Sequence, residues 1–300
     1  MIPANAQHII LLHHLRRLLR AAANQGIEVA PIKGAHLLTS VYDREKDRGP
    51  MADVDVLVRA ADWDRARQMM IDLGFVPRPV GRWLWPELTS HEAGFNLHLA
   101  DGRNILVEVH RYLFDPARLP IDHDALWGRS APSTLDDVPC RRLAAEDHFV
   151  HLVLHAAVHC LMQLDRTVND LELLLRRGGV DLPTVVARAQ EWRARLATWL
   201  FLSLLADRAP DLGCIEAGKA LATSGTMRKL LRWVVPDVTG HRFRHLHHRV
   251  QAAILWPLLF DGPQDVLRLV AAHPTLQWLS GGARAGVGGR WRPRRVRRWN

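Results

Sequence analysis

Two aspartates sit inside a stretch that otherwise favours burial. The run Pro50-Met-Ala-Asp-Val-Asp-Val-Leu-Val58 sets Asp53 and Asp55 among β-branched and apolar residues, the composition of a core strand. In a strand, residues i and i+2 share a face, with a rise of about 3.3 Å per residue. The two acids therefore stand roughly 6.6 Å apart on one side of a sheet. Burying like charges is costly unless a counter-charge compensates them. A divalent cation such as Mg²⁺, held by carboxylate oxygens, is the counter-charge expected here. The alternative is a strand end whose acids face water.

The flanking segments bear on that choice. Upstream, Gly26-Ile-Glu-Val-Ala-Pro-Ile-Lys-Gly34 reads as a short strand ending in a Lys-Gly turn, and residues 35–42 follow with helical spacing. A glycine at a strand-to-helix junction lets an anion approach the backbone, and the free amides of a helix N-terminus favour phosphate. Lys33 adds a point charge, although no Walker loop is present and an ordinary turn has the same look. Downstream, residues 95–113 read as a hairpin about Asp101-Gly102, a strong turn signal. Ile105, Val107 and Val109 fall on one face of its second strand; Leu106, Glu108 and His110 fall on the other. Glu108 is thus a third acid in an apolar strand, either a partner of the aspartate pair or a solvated edge position.

Jointly these pieces resemble a known family. Lys33-Gly34, the Asp53-x-Asp55 strand, an amphipathic helix ending in Leu73-Gly74-Phe75 and the Glu108-x-His110 strand are similar to the uncharacterised nucleotidyltransferase family of the DNA polymerase β-like superfamily. Phe149 to His159 resembles its paired-histidine helix, and Val168 to Leu174 its aspartate segment, so the likeness covers roughly residues 28–176. Two departures stand out. Arg48 lies five residues before Asp53, where the family usually places its arginine four before, and Lys33-Gly34 replaces the wider superfamily's Gly-Ser.

The resemblance implies an α+β fold: a nucleotidyltransferase-type mixed sheet with flanking helices, then an all-helical domain. It implies transfer of an NMP group from an NTP to an acceptor hydroxyl, with release of pyrophosphate. Asp53, Asp55 and Glu108 would be the catalytic, metal-holding acids for Mg²⁺ or Mn²⁺. Lys33, Gly34 and Arg48 would bind the nucleotide. His110, His155, His159 and Asp170 are candidates for contacts to acceptor or phosphate. Two alternatives remain open: a tailoring transferase moving another group onto a peptide or sugar, and a non-catalytic protein binding metal or a partner.

Composition bounds the rest. Three hundred residues with 48% apolar content suffice for two domains. The expected division is a catalytic domain over 1–140, a helical domain over 141–280 and a basic tail over 281–300. Residues 115–140, with Pro116, Pro120, Pro132 and Pro139, read as a connecting segment. Cys140, Cys160 and Cys214 are scattered without a CxxC pair, which suggests a reducing compartment and no thiolate zinc site. With neither a signal-peptide layout nor a long apolar run, the expectation is a cytoplasmic protein without membrane contact.

Seven arginines and no acid occupy residues 281–300, accounting for most of the net charge of +9. Trp291 and Trp299 beside them suit an acidic or nucleic-acid partner, although a chain that uses arginine nearly everywhere gives the same tail. His148, His151, His155 and His159 share one helix face. Packing against the catalytic sheet is their expected role; in the functional reading, His155 and His159 face the site and Asp170 orients one of them. His241, His245, His247 and His248 read as a solvated basic face, and Trp83 and Trp85 as core, interface or base-stacking residues.

Overall fold

The computed structural model describes residues 4–42, 51–78, 91–116, 118–221 and 223–271. Arg48, Trp83, Trp85 and the arginine-rich tail lie outside them. The fold is α+β. Helix α1 (Ala4–Asn24) leads into strand β1 (Val29–Pro31), helix α2 (Lys33–Ser40), strand β2 (Asp53–Val58) and helix α3 (Trp63–Asp72). Strands β3 (Val76–Pro77), β4 (Glu92–His98) and β5 (Asn104–His110) complete a five-stranded sheet in the order β1-β2-β5-β4-β3. All neighbours are antiparallel except β2 and β5, which run parallel.

Alternation along the strands gives the sheet two different faces. Val54, Val56, Val58, Val107 and Val109 join Leu11, Leu15 and Leu19 of α1 and Met69 and Met70 of α3 in one apolar core. Leu57, Ala30 and Ile32 point the other way, into a second core built mostly from helices. Asp53, Asp55, Glu108 and His110 share the face of Leu57 by register. The acids therefore face the helical side of the molecule.

That side comprises α5 (Ala145–Val158), α6 (Leu164–Arg177), α7 (Leu182–Glu191), α8 (Arg195–Arg208), α9 (Cys214–Ala220), α10 (Gly225–Val234), α11 (His248–Leu259) and α12 (Pro263–Ala271). The breaks fall at Gly178-Gly179, Pro210, Pro236 and Gly262-Pro263, residue types that interrupt helices. Helix α5 is buried along nearly its whole length and is packed by α6, α7, α8 and α11. Among the described residues, no helix is long and apolar enough to cross a membrane.

Residues 115–140 are more ordered than a connector. Asp122 caps α4 (His123–Arg129) by accepting from the Ala125 amide at 2.9 Å. A hairpin of β6 (Ala131–Leu135) and β7 (Val138–Arg142) follows. Its two-residue turn, Asp136-Asp137, has φ of +46° and +63°, the left-handed pair that a tight hairpin requires. Pro132 and Pro139 are tolerated because a two-stranded ribbon consists only of edges. Counting prolines overlooked that exemption. The basic-face reading also needs a correction at His241, which is buried while His245, His247 and His248 are exposed.

Asp147 joins the hairpin region to the helices. It is fully buried, accepts from Arg129 Nε at 2.9 Å and lies 2.5 Å from Arg188 Nε. Removing one partner of a buried ion pair leaves charge uncompensated, at about 3–5 kcal/mol. With Arg129 half-buried, Asp147→Asn is expected to lose about 3 kcal/mol, read as a lower urea midpoint. An unchanged midpoint would show that the two guanidiniums find water instead.

Candidate functional site

The site starts where β1 turns into α2. Lys33 adopts φ +48°, a left-handed backbone that costs a non-glycine residue about 1–3 kcal/mol. The turn places its ammonium over the sheet, where Nζ donates to Asp55 Oδ1 at 2.7 Å. The same oxygen lies 3.0 Å from His110 Nε2. Asp55 is 5% exposed, so two nitrogen groups converge on one oxygen of a buried carboxylate. Among the described residues, Oδ2 has no hydrogen-bond partner, which leaves it available to a ligand.

Register supplies the rest. Asp55 pairs with Glu108 across the parallel β2–β5 step, and Glu108 and His110 pair with Gly94 and Glu92 of β4. Ligand atoms of Asp55, Glu108 and His110 all lie within 4.8 Å of one another. Glu92 Oε2 sits 3.4 Å from His110 Nδ1, too loose for a full hydrogen bond but close enough to orient the ring. Asp53, half-buried at the start of β2, is on the same face but outside that closest trio.

One ammonium cannot neutralise this many carboxylates, and the protonation states divide accordingly. Burial alone would raise the Asp55 pKa, but Lys33 and His110 outweigh it and hold the group well below the usual carboxylate range. Burial would likewise lower the Lys33 pKa, yet Asp55, with help from Glu108 and Glu92, raises it. Glu108 is left with the proton: burial, then Asp55 and Glu92, push its pKa up to about 8. At neutral pH the resting site is thus an Asp55–Lys33 ion pair beside a protonated Glu108.

Helix α5 covers the site with imidazoles. His148 and His151 are fully buried, as the packing reading expects. The His155 and His159 rings lie 4.5 Å apart near the end of the helix. Burial lowers the pKa of both, and the next cause is the Lys33 charge, so both lie within its electrostatic reach. Gly34 is buried in the first turn of α2, where Ile32 at the N-cap provides no side-chain cap. Asp170 accepts from Tyr42 Oη at 2.7 Å, tying α6 to the end of α2.

Two features of the site escaped sequence reasoning. Glu92 was not singled out: the hairpin loop holds three residues, Ala100 to Gly102, and that register opposes Glu92 to His110, where a two-residue Asp101-Gly102 turn would oppose Ala93. The direct Lys33–Asp55 contact carried no signal in the sequence, because it joins residues 22 apart through an unusual backbone angle.

A family model described as "uncharacterised nucleotidyltransferase" matches residues 3–210, more than half of the chain. The protein belongs to the uncharacterised nucleotidyltransferase family. An antigenic nucleotidyltransferase-like protein from Paracoccidioides brasiliensis is similar in solved structure, at 17% identity and a TM-score of 0.46, with 70% of this chain and 92% of that chain covered. No curated protein matches the sequence significantly. Family membership supports a transferase.

The donor set fits a hard divalent cation. Asp53, Asp55 and Glu108 offer carboxylate oxygens, which suit Mg²⁺ or Mn²⁺, and His110 contributes a nitrogen to the closest trio. A protonated Glu108 must ionise to serve as a ligand.

The raised Glu108 pKa also sets a pH dependence in the metal-free protein. Its unfolded carboxyl titrates near about 4.3, and the folded one near 8. Between these values the folded state binds more protons, so this contribution to stability declines as pH rises through that window. Denaturant midpoints in EDTA should therefore fall from pH 5.5 to pH 8 for the natural protein. Glu108→Gln should flatten that fall, and parallel curves would refute the assignment.

Proposed function

We propose that the protein is a divalent-metal-dependent nucleotidyltransferase that moves an NMP group from an NTP to a hydroxyl acceptor. The observation that carries this reading is the shared face of Asp53, Asp55 and Glu108 on two parallel neighbouring strands, under a lysine at a strand-to-helix turn. In the reaction the acceptor oxygen bonds to the α-phosphorus, the bond from that phosphorus to the α–β bridging oxygen breaks, and pyrophosphate leaves. The hydroxyl proton passes to the ionised Glu108.

The chain's own groups divide the remaining work. Asp53, Asp55 and Glu108 would hold Mg²⁺ or Mn²⁺. When bound, the ion supplies Lewis-acid activation of the hydroxyl and neutralises phosphate charge. Lys33, beside Asp55, and the uncapped first turn of α2 would receive the triphosphate. His110, oriented between Asp55 and Glu92, would position the acceptor. His155 and His159 are further candidates for phosphate or acceptor contacts from the helical side.

Incubation with each labelled NTP, Mg²⁺ or Mn²⁺ and a cell extract should yield a labelled acceptor and pyrophosphate. Calorimetry should show NTP binding that depends on the metal. Asp53→Asn should weaken it at least tenfold, about 1.4 kcal/mol, without unfolding the protein, since it relieves repulsion in the metal-free state. Equal NTP affinity with and without metal would overturn the proposal.

A further inference from the structure

A second cationic site lies at the opposite end of α5 from His155 and His159. Arg129, Arg142 and Arg177 line a cavity of about 190 Å³ together with His36, Ser40 and Ala144. Among the described residues, no Asp or Glu lines it. Arg129 and Arg142 are incompletely compensated. Arg129 is paired with Asp147, but that carboxylate also serves Arg188, so one acid answers two guanidiniums. Arg177 Nη1 donates to the Val41 carbonyl at 3.0 Å, which fixes its guanidinium at the cavity wall. Arg142 is exposed on β7, and among the described residues no acid forms an ion pair with it.

The helix terminus adds to this charge. Ala144, the N-cap of the fourteen-residue α5, has no side chain able to cap the first-turn amides. The acids of that turn are already engaged: Asp147 by arginines, and Glu146 Oε1 by the Asp181 amide at 2.9 Å. His36 is the independent sign of a ligand. It is 6% exposed and lines the cavity. Its ring packs edge-on against His148 at 4.2 Å, and among the described residues its nitrogens make no hydrogen bond. Burial, then Arg142, lowers its pKa to about 4, so at neutral pH the ring is uncharged and has one N–H to donate.

We infer that this cavity binds a small phosphate-type dianion, free or as a phosphomonoester, held by Arg142, Arg177, His36 and the amino end of α5. Arginine forks and first-turn amides match phosphate oxygens. The volume is below the roughly 300–1,000 Å³ of pockets for larger ligands, which favours a phosphate group over a nucleotide. None of Lys33, Asp55, Glu108 and His110 lines the cavity, so it is a place distinct from the acid face.

The test is calorimetric titration at low salt with inorganic phosphate and, separately, with O-phosphoserine. The natural protein should bind at least one of them, and the preferred probe identifies the source as free or esterified. Arg142→Gln should bind at least about tenfold more weakly, and Arg142→Lys, which keeps the charge without the fork, should fall between. The lysine variant replaces the glutamine one if circular dichroism shows the latter to be unfolded. Lys33→Met should retain full affinity, because the anion does not sit at the nucleotide site. Affinity lost in Lys33→Met but kept in the Arg142 variants would overturn the inference. So would a natural protein that binds neither probe at millimolar concentration.

Discussion

Asp55 lies between a sheet and a buried helix, where an unpaired carboxylate would not remain ionised, and the Lys33 ammonium makes its charge tolerable. Much else follows from that pair. Lys33 reaches Asp55 only because its backbone takes a left-handed turn directly after β1. With Lys33 committed to Asp55, the surplus negative charge is relieved by a proton on Glu108. The strain at Lys33 and the raised pKa at Glu108 are two aspects of one electrostatic problem: several acids on the face of a sheet that helices cover.

The sheet itself explains why the acids gather there. Its two faces serve different cores, one with α1 and α3 and one with the helical half. Parallel pairing of β2 with β5 brings Asp55 opposite Glu108, and antiparallel pairing of β5 with β4 adds Glu92 opposite His110. Helix α5 then closes the polar face with histidines. Burial keeps His151, His155 and His159 away from their charged forms, so the cover adds little positive charge to the site. At its other end, α5 gathers the arginines of the second cavity.

Much of this was legible from local pattern. The strand around Asp53 and Asp55, the hairpin about Asp101-Gly102 and the helix breaks after residue 143 are encoded by neighbours within a few positions. The segment 115–140 was misread because its turn uses Asp136-Asp137 in place of a glycine, and its prolines sit on edges where no ladder hydrogen bond is lost. His241 was misread because a run of exposed histidines and arginines conceals one member that turns inward. In both places a local tendency gave way to a contact elsewhere in the chain.

The sequence by itself determined the alternation that puts Asp53 with Asp55, and Glu108 with His110, on common faces. It also determined that a hairpin turns at Asp101-Gly102, while the register that opposes Glu92 to His110 comes from a three-residue loop, one residue away from the two-residue turn, and a one-residue slip exchanges the faces. Only the tertiary structure decided that β2 and β5 are parallel neighbours, that the acid face looks toward α5 and that Lys33 is the partner of Asp55. Each of these joins segments distant along the chain. Such contacts are chosen by the burial of whole faces and the compensation of charge across the molecule, which no local spacing records.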